Sequence, residues 1–145
     1  MDNLLTKGVE EVIVKEHLEH ALKYGKKLRV KFGIDPTSPE LHLGHLVSLL
    51  KLRQFQDAGH KVVLLIGDFT AMIGDPSGRS ETRKPLTESQ IKNNFKTYEK
   101  QAGKILDMKK VEVRRNGEWY EKGGIKIITK LAAAASLQQV LHRAD

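Results

Sequence analysis

The sequence predicts an α/β fold built on a parallel sheet. Three observations carry this expectation. Segments patterned as strand and helix alternate along the chain in the order strand, helix, strand, helix, strand. The middle strand candidate, Val62 to Gly67, is continuously apolar, as suits a strand covered on both faces. The two clearest strand candidates each run into an unusual loop, 35–45 and 67–83. Ligands of open parallel sheets collect where such loops converge, beyond the carboxyl ends of the strands.

Each element has its own local signal. Val9 to Tyr24 reads as a helix, with Val9, Val12, Ile13, Leu18 and Leu22 near helical spacing and Gly25 as its C-terminal cap. Leu28 to Ile34 alternates apolar and polar residues and reads as a strand. Residues 35–41 (DPTSPEL) carry two prolines and form a loop. Leu43 to Ala58 is an amphipathic helix closed by Gly59, and Val62 to Gly67 is the second strand. Residues 67–86 read as a long, glycine-rich, polar stretch. Thr87 with Gln90 makes a capping box that starts a helix running to about Leu106. Val111 to Arg115 is a short strand, and Ile125 to His142 a terminal helix.

Composition bounds the function. The chain has 145 residues, 39% hydrophobic and 30% charged, enough apolar content for one core and too much for a disordered chain. Cysteine is absent, which excludes disulfides, thiolate nucleophiles and Cys-ligated metal sites. No apolar run approaches the roughly eighteen residues of a membrane span. The opening residues, Met1-Asp-Asn-Leu-Leu, lack the pattern of a signal peptide, so a cytoplasmic location with no membrane partner is expected. Lys and Arg number 25 against 18 Asp and Glu, a formal charge of +7. Such an excess favours anionic partners such as RNA or nucleotides, although Lys26, Lys27, Lys109, Lys110, Arg114 and Arg115 equally suit a solvated surface.

The first loop ends in His42-Leu-Gly-His45. Residues three apart share a helix face, and Gly44 between them lets a ligand approach the backbone. The pair sits at a helix start, where unpaired amides and the helix dipole attract anions. Two imidazoles and Thr37 are suited to donating hydrogen bonds to phosphate oxygens. The alternatives are that His42 caps the helix while His45 packs on the core, or that the pair binds zinc, for which a third ligand is lacking. In the second loop, Gly74, Pro76 and Gly78 shape the backbone around Asp75, a carboxylate suited to an ammonium group. Arg79, Arg83 and Lys84 follow, suited to a polyphosphate. A plain surface loop with Asp75 capping a turn is the competing reading.

Together, FGIDPTSPELHLGH and IGDFTAMIGDPSGRSETR closely resemble the bacterial tyrosyl-tRNA synthetases, which are class I aminoacyl-tRNA synthetases. HLGH matches the class signature, and the DPSG segment points to tyrosine. The resemblance runs from about Leu28 to the end of the chain. It implies a Rossmann-like, doubly wound parallel sheet of the HUP type, here incomplete. It also implies a tyrosine–tRNA ligase that activates L-tyrosine with ATP, Mg2+ accompanying the nucleotide, and transfers the product to tRNA(Tyr). By position, Thr37, His42 and His45 would hold the ATP phosphates, and Gly44 would make room for adenine and ribose. Gly33 and Asp35 would line the adenylate site, Arg79 and Arg83 would grip pyrophosphate, and no resident metal is expected. Asp75, Thr70 and, with Trp119, Asn116 would face the tyrosine. Lys31 departs from the pattern: some family members carry a tyrosine there that contacts the substrate phenol.

Residues 1–145 would then be the amino-terminal half of the catalytic domain. A KMSKS-like string, the anticodon-binding domain and the C-terminal RNA-binding domain are not found in them. A fragment inactive by itself is expected, from a protein that is a homodimer at full length. A non-catalytic nucleotide- or RNA-binding module derived from a synthetase is the alternative.

Overall fold

The computed structural model describes residues 2–73, 86–134, 136 and 138–139. Helices α1 (Asp2–Thr6) and α2 (Lys15–Lys23) precede strand β1 (Arg29–Ile34). Helix α3 (Leu43–Asp57) and strand β2 (Lys61–Ile66) follow, then α4 (Asp68–Ile73), α5 (Glu88–Ala102), β3 (Glu112–Arg115) and α6 (Gly117–Ala134). The three strands form one parallel sheet in the order β1-β2-β3, with Phe32 beside Leu64 and Leu64 beside Val113. This is a single βαβαβ unit, half of what a doubly wound sheet comprises.

Strand alternation explains the layering. Val62, Leu64 and Ile66 of β2 pack with Leu49 and Leu52 of α3, and with Phe95 and Ala102 of α5. Val30, Phe32 and Ile34 of β1 extend the same apolar layer. The opposite face carries Arg29, Lys31 and Gly33 of β1, all exposed. There Arg29 reaches across the sheet to Glu112, 2.7 Å away. Full burial of side chains such as Val62 and Ile66 contributes about 1.5–3 kcal/mol each.

Several elements depart from the sequence expectation. The helix expected from Val9 starts only at Lys15, because Val14 takes left-handed backbone angles (φ 53°, ψ 48°). Its far end falls as expected, with Gly25 at φ 66° beyond the cap. Helix α5 ends at Ala102, short of Leu106, where Gly103 takes over as the C-terminal cap. Helix α6 begins at Gly117, well before Ile125, and bends at Gly124 (φ 47°, ψ −141°). The sequence pattern from Gly67 predicts a polar loop, yet Asp68–Ile73 is helical. Among the described residues, no helix is long and apolar enough to cross a membrane.

Candidate functional site

The carboxyl ends of the three strands meet in one hydrogen-bonded knot. The ladder continues past β1 and β2: Gly67 N donates to Ile34 O and Asn116 N to Ile66 O, each at 2.9 Å. Thr70, on the first turns of α4, donates its hydroxyl to Asp35 Oδ1 at 2.8 Å. The Asn116 amide donates to Thr70 Oγ1 at 3.0 Å, while its oxygen accepts from Phe69 N at 2.9 Å. Side chains from all three strand ends are thus tied together. Beside them lies a cleft of about 210 Å³, lined by Gly33, Ile34, Asp35, Leu65, Gly67 and Asn116.

Two residues that build this knot escaped the sequence reading. Gly67 is one. A Cβ placed there would enter the space of Asp35 Oδ1 and Thr70 Oγ1, so the Asp35–Thr70 bond in its present position depends on the absence of a side chain at 67. Asp68 is the other. Its Oδ1 accepts from Phe69 N at 3.0 Å and from Gly117 N at 2.9 Å, joining the start of α4 to the start of α6. An aspartate directly after an apolar strand is a helix-start signal, which would have revealed α4.

His42 and His45 sit at the tip of α3, and the structure realises part of the capping alternative. His42 is the N-cap residue, and its Nδ1 accepts from Gly44 N at 3.1 Å. His45 Nδ1 accepts in turn from His42 N at 3.2 Å. The two rings lie 3.8 Å apart, centre to centre. A nitrogen that accepts carries no proton, so each ring holds its hydrogen on Nε2. Capping and anion binding are therefore compatible: Nδ1 serves the backbone, and Nε2–H remains as the donor each ring offers. Partial burial, reinforced by the neighbouring His42, holds the His45 imidazole below its ordinary pKa and so favours this neutral form. Gly44 has a second reason to be glycine, since a Cβ there would press to 3.0 Å on the His42 ring.

The expected residues are therefore distributed as follows. Asp35, Thr70 and Asn116 come together in the strand-end knot, and Gly33 lines the cleft beside it with Asp35 and Asn116. Thr37 lies just beyond it, its N donating to Asp35 O at 2.8 Å. His42 lines a separate depression of about 520 Å³ with Leu41, Leu46, Gln101 and Lys104, and this shares no lining residue with the cleft. Trp119 stands on the first turn of α6, near Tyr120, and is not among the cleft's lining residues. Lys31 extends over Gly33, its Nζ 3.6 Å from where a Cβ would stand. Asp75, Arg79 and Arg83 lie outside the described residues. Among the described residues, no three His, Asp or Glu side chains converge as a metal site would require.

A parallel βαβαβ unit with its cleft at the strand ends defines the class of open α/β folds, and the chain belongs to one family of that class. The family model for class I tRNA synthetases of the tryptophan and tyrosine type matches residues 23–145. Within that family, similar proteins include the tyrosine–tRNA ligase of Idiomarina loihiensis, 54% identical over 97% of this chain and 35% of that protein. The tyrosine–tRNA ligase of Dehalococcoides mccartyi is 51% identical over 100% of this chain and 37% of that protein. The chain thus spans about a third of the length of these relatives. Among solved structures, the tyrosyl-tRNA synthetase of Archaeoglobus fulgidus complexed with L-tyrosine superposes with a TM-score of 0.73 at 24% identity, over 94% of this chain and 40% of that one. That of Aeropyrum pernix gives 0.76 at 20% identity, over 97% and 41%. At such identities the structures show a shared fold.

Proposed function

We propose that residues 1–145 supply the amino-terminal half of the catalytic domain of a tyrosine–tRNA ligase, with the anticodon-binding and C-terminal RNA-binding domains lying outside them. The reaction joins ATP, carrying Mg2+, to L-tyrosine. A carboxylate oxygen of tyrosine attacks the α-phosphorus, the α–β phosphoanhydride bond breaks, and pyrophosphate leaves with the electron pair. A ribose hydroxyl at the tRNA(Tyr) terminus then attacks the tyrosyl carbonyl carbon of the adenylate, an ester bond forms, the carbonyl–phosphate anhydride bond breaks, and AMP leaves with the electron pair while the hydroxyl gives up its proton. The attacking carboxylate is already anionic, so no protein nucleophile is needed. The protein's work is to align two substrates and to stabilise charge building on pyrophosphate.

The roles follow from position. Gly33 and Asp35 line the adenylate, with Gly33 exposing bare backbone on the open face of the sheet. Thr37, His42 and His45 donate to the phosphates, and Gly44 leaves space for adenine and ribose. Thr70, Asn116 and Asp75 face tyrosine, Asp75 taking its ammonium group. Arg79 and Arg83 bind departing pyrophosphate. The knot of Asp35, Thr70 and Asn116 is the observation that carries this assignment: it gathers three of the assigned residues, from the ends of three strands, around one cleft. With the function come a cytoplasmic location and a homodimeric assembly at full length.

The test is tyrosine-dependent exchange between ATP and labelled pyrophosphate, catalysed by the protein that carries this chain. Exchange should require tyrosine, and Asp75→Ala should weaken tyrosine far more than ATP. Exchange without any amino acid, or a preference for tryptophan, contradicts the assignment. ATP binding with no exchange supports a non-catalytic nucleotide-binding module instead.

A further inference from the structure

The loop between β1 and the histidine pair is fixed at its ends, by the Asp35–Thr70 bond and the burial of Pro36 at one and by the packing of Leu41 on the core at the other. Pro36 and Pro39 have no backbone N–H to donate. Within the loop, Thr37 N reaches Asp35 O at 2.8 Å and Ser38 Oγ reaches Glu40 O at 3.0 Å. These local bonds close turns without tying the loop to the body of the protein. Yet the loop sets where α3 begins, and so where both imidazoles stand.

Helix α5 supplies polar anchors along the stretch between those ends. Asn94, Tyr98 and Gln101 are spaced i, i+4, i+7 and share one face of that helix. Asn94 Nδ2 donates to Pro36 O at 2.9 Å. The Tyr98 hydroxyl lies 3.3 Å from Ser38 Oγ. Gln101 makes the decisive pair: its Nε2 donates to Pro39 O at 3.0 Å, and its Oε1 accepts from Leu41 N at 3.1 Å. One planar amide thereby grips the chain on both sides of Glu40, and its second grip falls one residue before the N-cap. The Tyr98 ring also stands 6.1 Å from the His45 ring, centre to centre, and Gln101 and His42 line the same depression. The stripe follows the loop in register, from Pro36 at one end to Leu41 at the other.

We propose that Gln101, seconded by Asn94 and Tyr98, is a positioning residue for the His42–His45 pair. By fixing the backbone at Pro39 and Leu41 it sets the first turn of α3. Both rings then keep Nδ1 on backbone N–H groups and turn Nε2–H toward an anion. The link to catalysis rests on the phosphate role given to the two histidines above. The link to ring geometry stands on the hydrogen bonds alone.

The experiment reads the two links separately in the full-length protein that carries this chain. Long-range ¹H–¹⁵N spectra report the tautomer of each imidazole, and titration with Mg-ATP reports affinity. In the unaltered chain, His42 and His45 should each show an acceptor-type Nδ1 and a protonated Nε2, and ATP should perturb both. In Gln101→Leu the two tautomers should become mixed and the ATP dissociation constant should rise about tenfold. Gln101→Glu retains an acceptor for Leu41 N and should keep the tautomers while losing the Pro39 contact. Asn94→Ala and Tyr98→Phe should each give a smaller effect in the same direction, and they decide the matter should Gln101→Leu fail to fold. Fixed tautomers and unchanged ATP affinity across the folded variants would overturn the positioning role while leaving the nucleotide site intact. Mixed tautomers in the variants, alongside an unaltered chain that ignores ATP, would confirm the positioning role and remove its tie to phosphate.

Discussion

At Gly67 a hydrogen atom stands where any other residue would carry a carbon. That carbon would sit inside the space of Asp35 Oδ1, and the acceptor belongs to a bond that closes the strand-end knot. Gly67→Ala is therefore expected to displace the Asp35 carboxylate and destabilise the fold by about 1–3 kcal/mol, as crowding into packed sites does. The midpoint of a denaturant melt should fall with little change in slope. Gly25 offers the contrast, since a Cβ there meets nothing within 4 Å and the cost comes from its φ of 66° alone. Gly25→Ala should cost about 1–2 kcal/mol and leave the cleft unchanged. A wild-type melt for Gly67→Ala would show that Asp35 and Thr70 do not meet over this backbone. At this scale the sequence was informative about polar chemistry and silent about close approach. Asp35, Thr70 and Asn116 are recognisable as residue types that hold ligands. Nothing in the chain's pattern says that position 67 lies beneath two of them.

Helices and strands are joined here by imidazoles used as acceptors. His60, in the turn between α3 and β2, accepts from Leu28 N through Nδ1 at 3.3 Å and so ties that turn to the approach of β1. Partial burial, aided by the nearby Lys27 ammonium, holds its pKa below the ordinary value. His45 is depressed likewise, by burial and then by His42. The sign follows directly. The folded state disfavours the protonated rings, so the unfolded chain takes up protons first as pH falls. Stability from both groups is fully present above the unfolded value near 6.5 and is lost as pH drops below it toward the folded values. Thermal melting between pH 7.5 and 5.5 should therefore show a falling midpoint, and His60→Gln should flatten part of the decline. A midpoint that rises on acidification contradicts the acceptor roles. The boundaries of elements were legible where a cap is written in side chains. Thr87 and Gln90 form the expected box, each bonding the other's backbone N–H. They were not legible where backbone geometry decides, as at Val14, whose left-handed angles no pattern announces; the Gly123-Gly124 pair does mark the bend in α6, but not that the residues before it are helical.

For the molecule as a whole, three parallel strands aim their carboxyl ends at one cleft, and the histidine-tipped helix starts from the loop after the first of them. The parallel sheet, and a candidate site placed beyond its strand ends, follow from the strand–helix alternation and the two odd loops, both visible in the sequence, whereas the order β1-β2-β3 does not. The bracing of the first loop by α5 was not visible, because Asn94, Tyr98 and Gln101 read as ordinary positions on an amphipathic helix until the loop lies across them. The assignment turns on whether the strand-end cleft takes tyrosyl-adenylate. The direct measurement is titration of the ¹⁵N-labelled full-length protein that carries this chain with a non-hydrolysable tyrosyl-adenylate analogue. The largest shifts should fall on the amides of Gly33, Asp35, Gly67, Thr70 and Asn116 and on the imidazoles of His42 and His45. The phenylalanyl counterpart should bind more weakly, because a site built to hydrogen-bond a hydroxyl rejects the analogue lacking it. Shifts gathered instead in the cavity lined by Met72, Ile91 and Phe95, or no saturable shifts at all, would contradict the assignment.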